Sequence, residues 1–361
     1  MSRGLGDVYK RQKCNKIRRA EADVRERPVR AIDAPCGTPD RTALFDSTEW
    51  SDVEQIVRLR ASKTVTCVLP SSFSEHEGMT LSRGRHNSFV RRLAMSVLDI
   101  ALLRGLVAKW TCRWGWQGDL KITRHEISLS AGNRLPAPLT MAFASDFHAG
   151  PTTHPEVFRR LMQELLVCRP EILLLGGDYV SLRCRYLTAL TDALKQYSPP
   201  FGTFAVLGNH DLWSGDTEIA RGLRDLGVEV LVNRNVALRA PFDSVSICGF
   251  DDPWTGSADS NQTFHGAKAI RIWLTHSPDG LLFLDNQQYS IGFAGHTHGG
   301  QICLRDGTPI VGAGGPLSRS HSRGRFDIAG NGPLIVSRGV GCSNLPIRIN
   351  SDPELVICQL Q

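Results

Sequence analysis

The chain lacks the long apolar run that a membrane-spanning helix requires. In its 361 residues there is no uninterrupted stretch of about 18 apolar residues. The nearest candidate, residues 95–108 (MSVLDIALLRGLVA), is interrupted by Asp99 and Arg104. We predict an amphipathic helix within residues 94–119, lying either on the domain's own surface or in a membrane interface.

Paired cysteine motifs are also missing. The ten cysteines are scattered and form no C-x-x-C pair, which fits neither a zinc knuckle nor a dense disulfide scaffold. Several lie in apolar runs, as Cys168 and Cys248 do, where a free cysteine behaves as a small buried hydrophobe. Reduced thiols are therefore expected. They favour a cytoplasmic protein, with peripheral contact to a membrane left open.

The larger part of the chain has no basic excess. Residues 1–93 contain 18 Lys and Arg against 12 Asp and Glu, whereas residues 94–361 contain 24 of each kind. The net charge of +6 therefore comes from the first 93 residues. A binder of nucleic acid needs a basic footprint on its folded surface, so we predict no nucleic-acid partner.

Residues 1–93 show no sustained apolar periodicity. Within them, Asp7–Gln12 reads DVYKRQ, the translation of the end of an adapter used in sequencing libraries. We expect residues 1–12 to be a cloning or assembly artefact, and the whole segment 1–93 to be artefactual or disordered. The functional domain is predicted to cover residues 120–361.

From about Leu120 onward, short apolar runs alternate with amphipathic segments. The runs predict strands at residues 140–145, 172–175, 204–207, 228–232, 245–248, 270–274 and 291–294, with further strands near 333–337 and 355–358. Apolar stripes at helical spacing predict helices that begin at Pro155, near Leu187 and near Ile219. Strands and helices alternate in the first part of this region, and strands dominate in its last part. This order indicates an α/β sandwich with mixed sheets.

Polar residues with metal-binding chemistry follow five of these strands. The blocks are Asp146-Phe147-His148, Gly176-Gly177-Asp178, Gly208-Asn209-His210-Asp211, Thr275-His276 and Gly295-His296-Thr297-His298. Sites in α/β sheets form at the carboxyl ends of strands, so the five blocks are expected to meet at one edge. Any single block is a weak signal, because a lone histidine is more often a structural residue. Five blocks, each directly after a strand, favour a functional site over a structural interpretation. Imidazole, carboxylate and amide ligands together suit two divalent ions such as manganese, iron or zinc.

The five blocks, in this order, resemble the calcineurin-like metallophosphoesterase family, whose pattern is D-x-H, G-D, G-N-H-D/E, a histidine and G-H-x-H. The resemblance is nearest to the bacterial YkuE/YaeI-like branch and covers roughly residues 120–360. The stretches that carry it are Gly249–Trp254 (GFDDPW), Leu274–Asp279 (LTHSPD), Gly295–Gln301 (GHTHGGQ) and Ser337–Arg348 (SRGVGCSNLPIR). It implies a four-layer α/β/β/α sandwich with two mixed sheets.

The resemblance also implies roles for individual residues. One metal ion would be held by Asp146, His148, Asp178 and His298, and a second by Asp178, Asn209, His276 and His296, so that Asp178 bridges the two. His210 and Asp178 would be catalytic, and His210 with Asn209 would contact the phosphate or the leaving group. Ser181 stands where relatives of the protein-phosphatase branch carry an aspartate that orients this histidine, which leaves the support of His210 undefined.

Two metal ions would lower the pKa of a bridging water and clamp the attacking and leaving oxygens of an in-line displacement. We therefore predict a hydrolase that cleaves a phosphodiester, phosphomonoester or pyrophosphate bond. The resemblance extends the range of substrates to lipid-linked or nucleotide-diphosphate compounds such as UDP-2,3-diacylglucosamine. Arg338 and Arg348 are candidates for gripping the substrate's phosphate, because guanidinium is a forked donor. They could equally be structural. A non-catalytic module that binds metal and phosphate is the alternative function.

Overall fold

A computed structural model describes residues 96–129 and 132–361 of the chain. The predicted artefactual segment 1–93 lies outside the described residues. In these two ranges the strands are β1 Lys121–Ile127, β2 Leu139–Ala144, β3 Ile172–Leu175, β4 Thr203–Ala205, β5 Glu229–Val230, β6 Arg234–Ala237, β7 Val245–Gly249, β8 Ile270–Leu274, β9 Ile291–Ala294, β10 Gly324–Phe326, β11 Leu334–Val336 and β12 Glu354–Leu360. The α-helices in the same ranges are α1 Leu106–Arg113, α2 Pro155–Cys168, α3 Leu187–Leu194, α4 Asn209–Ser214, α5 Asp216–Arg224 and α6 Ser260–Phe264, and residues 96–101 are also helical.

The strands form two six-stranded sheets, and both are mixed. The first sheet has the order β1-β12-β2-β3-β4-β5, in which only the β12–β2 pair is antiparallel. The second has the order β10-β11-β9-β8-β7-β6, in which the β10–β11 and β6–β7 pairs are antiparallel. Strands β2, β3, β4 and β5 run parallel to one another in the first sheet, and β7, β8, β9 and β11 do so in the second. The strands that are followed by motif residues all belong to these two parallel blocks.

Apolar side chains from both sheets form the central core. Phe143 on β2 and Phe293 on β9 meet with ring centroids 5.2 Å apart, and buried residues of the β-strands of both sheets surround them. This core explains why β2, β3, β8 and β9 are apolar runs rather than alternating ones: strands covered on both faces have no polar face.

Helices cover the outer face of each sheet. On the first sheet, α2, α3 and α5 bury an apolar stripe against β2, β3 and β4. On the second, α6 and the short 3₁₀-helix Pro278–Phe283 pack around the buried Trp273. The four layers are thus α/β/β/α, and the predicted fold class is confirmed.

Helix α2 shows how local sequence sets an element's bounds. Pro155 occupies the first helical position and His154 accepts the Glu156 amide at the N-terminus, which suits the fixed φ of proline. The helix ends at Arg169, which adopts the left-handed conformation with φ of 46° just before Pro170. The predicted start is confirmed, and the stripe Val157, Phe158 and Leu161 is buried as the spacing predicts.

The segment before the sandwich is helical but contains a break. Residues 96–101 form a helical stretch, Leu103–Gly105 form a 3₁₀ turn and α1 follows. The break occurs where Leu103 and Arg104 both have φ of 50°. Within the described part of the chain, no helix combines the length and apolar character needed to cross a membrane.

Because the two sheets pack closely, removing a large side chain from between them is expected to destabilise the fold strongly. Phe143→Ala should lower the free energy of unfolding by about 3–5 kcal/mol, because the side chain is fully buried and the rigid sheets cannot collapse onto the void. Val167→Ala on α2 is the control: its side chain is 75% exposed, so a change within about 0.5 kcal/mol is expected. Urea denaturation followed by circular dichroism measures both, and similar losses would contradict the central-core assignment.

Candidate metal centre

The motif residues lie at the carboxyl ends of their strands and meet at one edge of the sandwich. Asp146 and His148 follow β2, Asp178 follows β3, and Asn209 and His210 begin α4 just after β4. From the second sheet, His276 follows β8, and His296 and His298 follow β9. The side chains of the predicted ligands are nearly all buried, although His296 is only partly buried.

The backbone is held in an unusual conformation at these positions. The φ angle is 56° at Asp146, 44° at His148, 56° at Asp178, 72° at His296 and 52° at His298. Non-glycine residues rarely adopt positive φ, and each such residue costs about 1 kcal/mol or more unless its surroundings enforce it. Five of the seven predicted ligands share this feature. The tight turns aim successive side chains into one space.

Two glycines permit the close approach of the loops. A methyl group added at Gly208 would overlap the Asp178 carboxylate and lie 2.7 Å from Cε1 of His276. One added at Gly295 would overlap Ser145 and Asp146. Any side chain at either position would therefore push the ligand loops apart.

Most contacts among the candidate ligand atoms fall into two groups that share Asp178, and the cluster of Asp146, Asp178 and His276, whose ligand atoms lie within 4.8 Å of one another, links the two groups. In the first group, Nε2 of His148 lies 2.9 Å from Nε2 of His298 and 3.5 Å from Oδ2 of Asp178. Nε2 of His298 also lies 3.5 Å from Oδ1 of Asp146. This group contains the cluster Asp146, His148 and His298, whose ligand atoms all lie within 4.8 Å of one another.

In the second group, Asn209 is central. Its Oδ1 lies 3.1 Å from Nε2 of His276 and 3.0 Å from Nδ1 of His296. Nε2 of His276 is also 3.3 Å from Oδ2 of Asp178. Asp178 therefore faces a histidine of each group through the same oxygen atom.

The outward nitrogens of two histidines are fixed by backbone carbonyls. Nδ1 of His276 lies 2.8 Å from the Gly176 oxygen, and Nε2 of His296 lies 3.2 Å from the Gly314 oxygen. A proton on each of these nitrogens leaves the other ring nitrogen with a lone pair that faces the oxygens of Asn209 or Asp178. Lone pairs that face lone pairs repel unless a cation lies between them. The donor set therefore fits a metal ion, and outward hydrogen bonds of this kind orient metal-bound histidines.

Burial keeps most of these imidazoles neutral. It lowers the pKa of His148 to about 3 and that of His296 to about 4, and it depresses the pKa of His298 well below its usual value. Neutral imidazole is the form that binds metal. His276 differs: burial opposes its charge, but the Asp178 carboxylate raises its pKa well above the usual value. Without a metal ion, a proton on Nε2 would therefore take the place of the cation between His276 and Asp178.

The carboxylate of Asp211 ties two ligand loops together. It accepts the amides of Asp178 and Tyr179, both at 2.8 Å, and the amide of Gly208 at 2.9 Å. The side chain is fully buried, and three N–H donors satisfy it there. Asp211, the aspartate of the G-N-H-D block, thus positions Asp178, and its own carboxylate is occupied by backbone amides.

His210 lies beside the ligand atoms and is oriented by the backbone. Its amide donates to Oδ1 of Asp178 at 2.8 Å, and its Nδ1 lies 3.0 Å from the carbonyl oxygen of Ser181. The sequence left the support of His210 undefined because Ser181 replaces an aspartate. The carbonyl of the same residue supplies it, while the Ser181 hydroxyl bonds to the His148 carbonyl oxygen at 2.9 Å.

The two arginines that are candidates for gripping phosphate both contact protein groups. Arg338 donates to Oε1 of Glu354 at 3.1 Å and lines a separate cleft. Arg348 is buried, and it donates to the carbonyl oxygens of Gly341 and Ser351 at 3.0 and 2.9 Å. Its Nη1 also reaches the His298 carbonyl oxygen at 3.4 Å. These contacts stabilise the loop that carries His298.

A cavity of 340 Å³ opens over the ligand groups. Its polar wall includes Asp178, Asn209, His210, His296 and His298, and its apolar wall includes Ile302, Val311 and Leu345. None of its lining residues, which all lie in the described ranges, is a lysine or an arginine.

Trp254 and Asp279 lie within sequence motifs that by themselves indicated no role for either residue. The Trp254 ring stacks on His296 with centroids 5.9 Å apart, and its Nε1 donates to Oδ2 of Asp279 at 2.9 Å. Asp279 also accepts the Leu317 amide at 2.8 Å. The pair therefore fixes the loop whose Gly314 carbonyl binds His296. Their presence in GFDDPW and LTHSPD was the available signal.

Comparisons with known proteins agree with this arrangement. Residues 139–300 match the sequence model of the family described as calcineurin-like phosphoesterase. Phosphodiesterase YaeI of Escherichia coli is 27% identical over 275 residues, which are 75% of this chain and 98% of that protein. The uncharacterized metallophosphoesterase YkuE of Bacillus subtilis is 26% identical, over 60% of this chain and 77% of that protein. Residues 139–300 therefore form a calcineurin-like phosphoesterase domain, which indicates a hydrolase of phosphate esters.

Two solved structures overlap with part of the chain. One is a 5'-nucleotidase precursor from Thermus thermophilus, with a TM-score of 0.38, 14% identity and coverage of 57% of this chain. The other is the NAD nucleotidase of Haemophilus influenzae, with a TM-score of 0.38, 13% identity and coverage of 60%. The chain spans 50% and 46% of their respective lengths. Nothing further follows from similarity at this level.

The Trp254–Asp279 pair yields a test of how His296 is oriented. Asp279→Asn should weaken binding of one divalent ion about 10–100-fold, the usual effect of removing an outer partner of a metal-binding histidine. The amide NH2 would replace one of the two carboxylate oxygens and would face either the Trp254 donor or the Leu317 donor. Calorimetric titration of metal-free protein with Mn²⁺ measures this, with Asp327→Asn at an exposed ion pair as control. Unchanged affinity in Asp279→Asn would show that the loop does not orient His296.

Proposed function

We propose that the chain is a two-metal phosphohydrolase in which Asp178 bridges the ions. Asp146, His148 and His298 would complete one coordination shell, and Asn209, His276 and His296 the other. The observation that carries the proposal is the division of the ligand contacts into two groups that share Asp178. When bound, two divalent ions such as Mn²⁺, Fe²⁺ or Zn²⁺ would supply Lewis acidity and an activated water.

The chain's own residues would arrange the substrate over this centre. The cavity admits a phosphate group beside Asn209 and His210, and the Asn209 amide can donate to a phosphate oxygen. The Ser181 carbonyl holds a proton on Nδ1 of His210, so that Nε2 is the atom that can deliver a second proton. We place that proton transfer at the leaving oxygen, since imidazole suits proton donation near neutral pH.

The lining of the cavity supports one class of substrate. The described lining has no Lys or Arg, so the two metal ions of the proposal would be the cations that face the phosphate. We propose a phosphodiester or pyrophosphate bond, with lipid-linked and nucleotide-diphosphate compounds as candidate substrates. The apolar wall of Ile302, Val311 and Leu345 supports a substrate with an apolar group. The name of the relative YaeI, a phosphodiesterase, agrees with the diester.

A non-catalytic module that binds metal and phosphate remains the second candidate. It would bind the same ions but show no turnover. We also propose a cytoplasmic location, which cell fractionation of the tagged chain tests.

The substrate class is tested by incubating the Mn²⁺-loaded protein with phosphomonoesters, with bis(p-nitrophenyl) phosphate and with UDP-2,3-diacylglucosamine. Turnover of none of them would favour the non-catalytic module, and turnover of monoesters alone would contradict the proposed class.

The shared ligand can be tested separately from turnover. Asp178→Asn should abolish binding of both ions, since it weakens the only ligand that the two groups have in common. Metal content is measured by elemental analysis of the purified protein. Asp192→Asn, at an exposed ion pair on α3, is the matched control and should retain its metal. Full metal content together with full activity in Asp178→Asn would remove Asp178 from the bridging position.

The role of His210 predicts an effect that depends on the leaving group. His210→Ala should slow a diester with an alkyl leaving group by about 10²–10⁴-fold, the usual contribution of a general acid. It should slow a nitrophenyl diester much less, because nitrophenolate leaves without a proton. Metal content should stay normal. His148, Asp178 and His210 also form a possible ligand cluster, so loss of a metal ion in His210→Ala would instead make His210 a ligand.

A further inference from the structure

Most of the exposed large hydrophobic side chains in the described residues lie in two segments. The first is residues 100–116, where Ile100, Leu103, Leu106, Trp110, Trp114 and Trp116 are exposed. The second is residues 304–349, where Leu304, Ile310, Val311, Leu345 and Ile349 are exposed and two of them, Val311 and Leu345, line the cavity. We call these eleven residues the apolar face. Elsewhere in the described ranges few large hydrophobics are exposed, among them Leu166 and Val167 on α2.

The two segments meet through the backbone. The carbonyl oxygen of Trp116 accepts the Arg348 amide at 2.7 Å. The side chain of the neighbouring Gln117 donates to the Thr152 carbonyl oxygen at 3.0 Å and approaches that of Pro346 at 3.5 Å. On the other side, the Cys303 amide donates to the Ile349 carbonyl oxygen at 2.9 Å. A chain of contacts therefore runs from the tryptophans through residues 345–349 to the segment that carries Leu304.

The apolar face borders the catalytic cavity. Val311 and Leu345 belong both to the face and to the wall of the cavity that contains His210 and Asp178. Arg348, whose amide binds Trp116, also contacts the His298 carbonyl oxygen. Any surface that covers the apolar face would lie at the entrance to the candidate metal centre.

The charges next to the tryptophans are mostly positive. Arg104, Lys109 and Arg113 are exposed near them, against one exposed acid, Asp119. Asp99 is buried and bonded to Arg185 and Tyr186. Tryptophan and leucine with an excess of Lys and Arg form the composition of segments that lie in the interface of an anionic bilayer.

We propose that the apolar face docks on an anionic membrane surface and holds the catalytic cavity at the lipid–water boundary. A second copy of the chain is a poorer occupant, because two like-charged faces would repel each other. Tryptophan rings would lie at the level of the lipid head groups, and Lys109 and Arg113 would face the lipid phosphates. Docking of the apolar face on a membrane does not depend on the proposed function. Entry of the substrate from the membrane does rest on that function.

Vesicle sedimentation of the full chain tests the docking. Wild-type protein should bind vesicles of phosphatidylcholine with phosphatidylglycerol more tightly than vesicles of phosphatidylcholine alone, and binding should weaken with added salt. Trp110→Ser with Trp114→Ser should weaken binding by at least about tenfold, since each buried large side chain contributes more than this factor. Leu166→Ser with Val167→Ser is the matched control: two exposed hydrophobics on another helix, expected to leave binding unchanged.

Three results would overturn the proposal. One is failure of the wild type to bind anionic vesicles. Another is an equal loss of binding in the Leu166/Val167 control. The third is a concentration-dependent dimer, seen by light scattering without lipid, that the Trp110/Trp114 variant abolishes, since the face would then join two copies. Circular dichroism verifies that each variant folds. Hydrolysis of bis(p-nitrophenyl) phosphate should be equal in all of them, and vesicle binding without any hydrolysis would refute the proposed function alone.

Discussion

The carboxylate of Asp178 is the point on which the described site depends. One of its oxygens accepts the His210 amide, and the other faces His148 and His276. Its own amide is held by Asp211. A single side chain is thus in contact with residues that follow strands of both sheets, so the relative position of the sheets fixes the distances between ligand atoms. The inter-sheet core around Phe143 and Phe293 therefore acts on the site as well as on stability.

The charge of the site follows from its burial. Desolvation opposes charge on every ligand, and it lowers the pKa of three histidines into a range where they stay neutral. The remaining histidine, His276, gains a positive charge only because Asp178 is next to it. Carboxylates packed this closely without a counter-charge are unfavourable, and divalent cations relieve that cost. The same features that make the site expensive to fold without metal give it affinity for metal.

The strands were the most predictable part of the fold. The bounds of β3, β8 and β9 agree with the predicted ranges because these strands are buried on both faces and stand out as apolar runs. Strand β1 was missed: its sequence KITRHEI is partly exposed at the sheet edge, so it has no continuous apolar run. Helix α4 was missed because its six residues NHDLWS coincide with a motif and are too few to show a helical period.

The sequence by itself determined which strand ends carry the candidate ligands, since the motifs directly follow apolar runs and parallel strands place their ends at one edge. It could not determine what the arginines bind. Arg338 and Arg348 stand in a motif-rich stretch, yet Glu354 and backbone carbonyls take their donors. Only the tertiary structure brought the Ser181 carbonyl to His210 and Asp279 to Trp254. Backbone carbonyls have no signature in a sequence, and contacts between distant loops depend on how the two sheets pack.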